Sequence, residues 1–155
     1  LTRAGVGKVF LDPFCGSGGF LVEAAMLGCD VVGLDVDKLM VDGSKINLRY
    51  YVSEPWNLIL GDAKNLPLRA VDCIATDPPY GRSASTKGWK LDLLLRRFLE
   101  EAFSLLRKGG YLCLGAPSTV DLLSLGVDAG FKLVESHRMR VHKSLTRVVC
   151  VFKAV

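Results

Sequence analysis

The sequence has no C-x-x-C pair. Its five cysteines, Cys15, Cys29, Cys73, Cys113 and Cys150, are scattered over 155 residues. That spacing argues against a disulfide framework or a zinc site and predicts reduced, mostly buried thiols in an intracellular, cytoplasmic protein. Only two histidines are present, His137 and His142. Neither has Cys, His or acid partners at ligand spacing, so no metal is expected. No apolar run reaches the roughly 18 residues of a membrane span, and no signal or transit segment is recognisable. The chain starts at Leu1 rather than Met and reads as an excised domain or a processed chain. What is present, 50% apolar and 23% charged residues, predicts one globular domain with a full core rather than a disordered chain.

The net charge of +4 is unevenly divided. Residues 1–80 carry 7 Lys+Arg against 10 Asp+Glu, and residues 81–155 carry 13 against 6. A basic second half suits a polyanionic partner, with a solvated lysine-rich surface as the plain alternative.

Apolar runs alternate with helical patterns. Residues 8–12 predict a first strand, 13–19 a Gly-rich turn, and 20–27 a helix stopped by Gly28. Residues 31–35 predict a second strand and 38–51 a helix capped by Asp37. Strands follow at 56–60 and 71–76. A helix is expected over 90–107, ended by Gly109-Gly110, then a strand at 111–115 and a helix at 119–129. The last two strands, 131–135 and 146–153, are too close for a crossover helix, so they predict a hairpin with an antiparallel seventh strand. Its tip, His137 to Arg147, carries Arg138, Arg140, Lys143 and Arg147 to the edge where the other strands end.

Four of those strands end in chemistry. The first leads from Asp12 into Pro13-Phe14-Cys15-Gly16-Ser17-Gly18-Gly19, where small residues let a ligand approach a helix N-terminus. The third Gly of a dinucleotide fingerprint would fall at Leu21, which argues against that class. The second ends in Asp35, a carboxylate placed to accept both hydroxyls of a ribose. The third ends in Gly61-Asp62-Ala63, where Asp62 is either an acceptor for an adenine amine or an ordinary turn residue. The fourth ends in Asp77-Pro78-Pro79-Tyr80. Two prolines cannot continue a central strand, so Asp77 opens a stiff corner. A carboxylate, prolyl carbonyls and one ring suit a planar group bearing an NH2, and not a phosphate, which needs donors. Residues 81–89 are nearly without apolar side chains and predict a mobile loop at the rim.

Together, the run from Leu11 to Gly19, Asp35, Gly61-Asp62-Ala63 and the D-P-P-Y corner resemble the S-adenosylmethionine-dependent amino-methyltransferases over essentially the whole chain. Within that class, residues 77–82 and His142-Lys143-Ser144-Leu145-Thr146-Arg147 resemble the archaeal and eukaryotic tRNA guanine-10 N2-methyltransferases. The resemblance implies an α/β class I methyltransferase fold: a Rossmann-like three-layer sandwich on a seven-stranded, mostly parallel sheet with the last strand antiparallel. It implies that residues 1–155 are the catalytic domain, without the family's N-terminal THUMP-type RNA-binding domain. It implies S-adenosylmethionine held by Asp12, Phe14, Gly16, Ser17, Gly18, Asp35, Asp62, Ala63 and Asp77, with tRNA as substrate. Asp77, Pro78, Pro79 and Tyr80 would be the catalytic set. Alternatives are an N6-adenine or N4-cytosine methyltransferase acting on DNA or RNA, a protein-amine methyltransferase, and a non-catalytic nucleotide-binding Rossmann-like module.

Overall fold

The computed structural model describes residues 2–53, 55–79, 91–142 and 145–155. Tyr80 and the loop expected at 81–89 lie outside the described residues. Seven strands form one sheet in the order β3-β2-β1-β4-β5-β7-β6. They are β1 (Val9–Asp12), β2 (Asp30–Asp35), β3 (Asn57–Leu60), β4 (Val71–Thr76), β5 (Leu106–Pro117), β6 (Lys132–His142) and β7 (Leu145–Lys153). Six run parallel; β7 is antiparallel to both β5 and β6. The fold is the three-layer α/β sandwich expected from the sequence, antiparallel last strand included.

The inner strands are apolar because both sheet faces are covered. Phe10 and Leu11 are neighbours on β1, yet they belong to different core clusters, as do Cys73 and Ile74 on β4. One cluster lies under α1 (Gly19–Met26) and α2 (Lys38–Tyr51), through Leu21, Ala24 and Leu48. The larger lies under α3 (Leu91–Leu105) and α4 (Leu122–Asp128) and includes Leu95, Phe98, Leu99, Leu112, Leu122 and Phe152. On α3, Leu94, Leu95, Phe98, Leu99, Ala102 and Leu105 make the buried stripe that the helical period announces. Each fully buried Leu or Phe of this kind stabilises the fold by roughly 1.5–3 kcal/mol.

Two helices start at a side-chain cap. The Asp37 carboxylate accepts from Leu39 N at 2.9 Å and opens α2. Asp121 does the same for α4, accepting from Ser124 N at 3.1 Å, so this helix begins at Leu122 rather than at 119.

Two strands depart further from the sequence reading. Helix α3 stops at Leu105, and β5 starts at once, before Gly109-Gly110. The glycines serve a strand irregularity instead of a helix stop. The β4–β5 register jumps between Val71 and Cys73, Gly109 takes φ 83°, and a Cβ on Gly110 would sit 2.7 Å from the Asp72 carbonyl oxygen. Arg107 closes the irregularity by pairing with Asp72 at 2.6 Å. The hairpin is also longer than expected. His137, Arg138, Met139 and Arg140, read from sequence as its tip, are paired strand residues facing Val149, Val148, Arg147 and Thr146.

The chain runs outward through β1, β2 and β3, then returns to place β4 on the other side of β1. Crossovers therefore diverge between β1 and β4, and a crevice opens at the carboxyl ends of those two strands. Asp12 and Asp77 stand there.

Candidate active site

Asp12 ends β1 and is 2% exposed. Its Oδ1 accepts from the Thr76 hydroxyl at 2.7 Å and from Phe14 N at 3.2 Å. Burial pushes its carboxyl up to about 7, against the pull of those two hydrogen bonds and with help from Asp35 and Asp77. Near neutral pH this group is therefore divided between its protonated and ionised forms. The Phe14 ring packs edge-on against Phe98, centroids 5.3 Å apart, which ties the turn to the core.

The glycine turn is held from two elements. From β2, Asp35 Oδ2 accepts from Gly16 N at 2.9 Å and the Leu34 carbonyl accepts from Cys15 N at 2.9 Å. From α2, the Ser44 hydroxyl donates to the Gly16 carbonyl and Asn47 Nδ2 donates to the Ser17 carbonyl, each at 2.8 Å. Gly18 has φ 86°, and a Cβ there would lie 2.9 Å from Ser44 Oγ. Backbone conformation and space both require glycine. Helix α1 then starts with no side-chain cap and no acid in its first turn, so no side chain of its own claims its leading N–H groups. Cys15, in the same turn, is no nucleophile: burial lifts its thiol up to about 12.

Asp77 follows β4, with Pro78 buried and Pro79 half-buried behind it. Its side chain is 32% exposed, and Oδ2 pairs with Arg147 Nη2 at 2.9 Å. Its Oδ1 is enclosed and has no hydrogen-bond partner among the described residues. An enclosed oxygen without a donor costs roughly 1–3 kcal/mol. Gly115 of β5 lies beside it: a Cβ there would stand 3.0 Å from Oδ1.

A cavity of about 470 Å³ joins these parts, within the range of small-molecule and cofactor sites. Asp12, Phe14, Gly16, Ser17 and Asp77 line it, together with Cys15, Gly19, Phe20 and Glu23. Its described lining thus holds three carboxyl groups and no cationic side chain. That wall suits a cationic or amine-bearing ligand better than a phosphate.

The other expected residues fall around this centre. Asp35 touches the turn through Gly16 and also accepts from Asp37 N at 2.9 Å. Each oxygen so engaged keeps a second lone pair for a ligand hydroxyl. Gly18 sits behind the cavity wall, against Ser44. Asp62 lies beyond β3, paired with Lys64 at 2.5 Å, and Ala63 is buried beside it. Tyr80 is outside the described residues. Sequence reasoning missed Glu23, Thr76, Ser44 and Asn47. Of these, Ser44 left a signal: a polar residue four before Leu48 on the inward stripe of α2. It also took Arg147 for one more basic residue on the hairpin, whereas the structure pairs it with Asp77.

A family model described as UPF0020: RMKL-like, methyltransferase domain, matches residues 1–149. The tRNA (guanine(10)-N2)-dimethyltransferase of Methanothermobacter thermautotrophicus is 47% identical over 156 residues, covering 100% of this chain and 46% of that protein. The enzyme of the same name from Pyrococcus abyssi is 40% identical over 158 residues, covering 99% of this chain and 46% of its own. The chain therefore spans about half the length of these curated relatives. Among solved structures, TrmN from Thermus thermophilus superposes with a TM-score of 0.82 at 29% identity, covering 99% of this chain and 46% of that one.

Proposed function

We propose that this chain, which belongs to the UPF0020 RMKL-like methyltransferase-domain family, transfers a methyl group from S-adenosylmethionine to the exocyclic N2 of a guanosine in tRNA. In this reading it is the catalytic domain of a longer cytoplasmic protein with a separate RNA-binding domain of the THUMP type. The observation that carries the reading is the cleft between the glycine turn and the Asp77 corner, walled by carboxyl groups and free of cations in its described lining. Relatives named for guanine N2 methylation of tRNA, matching the whole of this chain, support the choice of acceptor.

The residues present fit the cofactor by their donor set. A ligand bearing a sulfonium and an ammonium is attracted by Asp12, Glu23 and Asp77, and its carboxylate by the uncapped start of α1. Gly16, Ser17, Gly18 and Phe14 would border its amino-acid end, Asp35 its ribose, and Asp62 with Ala63 its adenine. Bound there, S-adenosylmethionine supplies an electrophilic methyl carbon.

The chain's own work is on the nucleophile. The guanine N2 lone pair is delocalised into the ring, so the amine attacks poorly as it stands. Asp77 and the Pro78 carbonyl accept from its N–H groups and draw the nitrogen toward a tetrahedral shape, with the lone pair turned to the methyl carbon. In this reading the Tyr80 ring would stack on a base taken out of its helix. Positioning and charge placement carry the rate, and no covalent enzyme intermediate is needed.

The test is nucleoside mass spectrometry of unmodified tRNA incubated with the intact protein and labelled cofactor. N2-methyl- or N2,N2-dimethylguanosine is the expected product. Label appearing only in adenine or cytosine of DNA, or bound cofactor with no transfer to any RNA, overturns the reading.

A further inference from the structure

Asp77 follows β4 and Arg147 lies in β7, strands that are not neighbours in the sheet. In the sheet order, β5 lies between β4 and β7. Arg147 starts beside Pro117 of β5, and its side chain crosses that strand to reach Asp77 Oδ2 at 2.9 Å. The crossing passes Gly115, where a Cβ would lie 3.0 Å from Asp77 Oδ1 and 3.7 Å from Arg147 Cδ. A larger side chain at this one position of β5 would stand in the space the ion pair uses.

We propose that Arg147 is a positioning residue for methyl transfer, acting through Asp77, and that Gly115 is the gap that admits it. The proposal rests on the function argued above. The carboxylate has two oxygens and different arrangements for each. Oδ2 is anchored by a guanidinium, while Oδ1 is enclosed with no donor among the described residues. The enclosed oxygen is out of a substrate's reach, so the amine meets Oδ2, which spends one lone pair on Arg147 and keeps another for the amine. Held by the guanidinium, one carboxylate then keeps Arg147 and grips the amine at once. Without Arg147 the side chain is free to swing, and its charge is left without this counter-ion beside the acidic cleft.

The alternative role for a hairpin arginine is a phosphate contact, and the strand pairing argues against it. Antiparallel partners share a face, so Arg147 lies on the side of Met139, opposite to Arg138 and Arg140.

The experiment uses the intact protein, first shown to methylate guanosine in tRNA; failure there sinks the function, not this assignment. Arg147→Ala is then expected to lower kcat at saturating tRNA by about 30- to 100-fold. Its tRNA affinity, the salt dependence of that affinity and its cofactor affinity should stay within about twofold. Arg147→Lys should recover part of kcat. Gly115→Val should lower kcat as Arg147→Ala does, and each variant is accepted only if its melting transition remains cooperative. Combining Arg147→Ala with Asp77→Asn should add little to Asp77→Asn alone, a readout that survives even if Gly115→Val does not fold. An unchanged kcat with a flattened salt dependence would make Arg147 a phosphate ligand, and a raised kcat would make the ion pair a latch. Either result overturns the proposal.

Discussion

Asp12 and Asp77 stand at the ends of adjacent parallel strands and face one cleft, yet the fold treats their charges in opposite ways. Asp12 is buried at the cleft wall and given a hydroxyl and an amide to bond but no cation among the described residues, so burial lifts it to about 7. Asp77 is a third exposed and given a guanidinium. One site gives up its proton only near neutrality, while the other is paired with a guanidinium. Two ionised acids side by side would repel each other in a low-dielectric cleft, and this division removes much of that cost. A cation entering the cleft meets one carboxyl group held by a guanidinium and a buried one that becomes charged by giving up its proton.

The largest expected effect breaks the Asp77 side of the comparison. Asp77→Ala should lower methyl transfer by roughly 10²–10⁴-fold and cofactor affinity far less, because Asp12 and Glu23 still line the cleft. Single-turnover rates with saturating tRNA, alongside calorimetric binding of the cofactor, would show it; full activity would remove Asp77 from the mechanism. The next effect tests Asp12. If a cationic cofactor favours its ionised form, binding releases a proton, and affinity should rise about tenfold between pH 6 and pH 8. Asp12→Asn should flatten that profile. Stability carries the same signature with a definite sign. The folded chain holds this proton up to about 7, whereas the unfolded chain releases it near 3.8. Between those values the folded state binds more protons, so this group's contribution to stability falls as pH rises, by a few kcal/mol in all. Denaturant titrations at pH 4.5 and 7.5 should show a smaller decline in Asp12→Asn than in the parent; an equal decline would remove Asp12 as its source.

What the sequence makes legible follows from how local the cause is. The inner strands show as apolar runs because both faces are covered, and Asp37 shows as a cap because capping is decided within three residues. The glycine turn and the Asp77-Pro78-Pro79 corner are legible because prolines and glycines restrict backbone wherever they occur. The start of β5 is not, because Gly109-Gly110 after a helix looks like a stop, and only the jump in pairing with β4 shows what it does. The Asp77–Arg147 pair is 70 residues apart and two strands across. It depends on hairpin register, and a one-residue slip would turn Arg147 to the other face. Glu23 is hidden for a similar reason: an acid on a helix declares a solvent face unless the cleft beside it is known.

The smallest expected effect separates the two faces of the hairpin. Arg138 and Arg140 lie two apart on β6, so they share one face, and both are exposed. No carboxylate is paired with either among the described residues. On the proposed function, a cation in that position would contact RNA phosphate and carry no share in aiming the amine. Arg140→Ala should therefore weaken tRNA binding only severalfold at moderate salt, lower the slope of log affinity against log salt by about one, and leave kcat at saturating tRNA unchanged. Filter binding across a salt series and saturating kinetics on the same preparation measure both. Arg147→Ala should give the converse pattern, so the two arginines, seven residues apart on one hairpin, form an internal control. A kcat defect in Arg140→Ala would mean that the hairpin moves as a single unit on substrate binding, and the division between its faces would have to be abandoned.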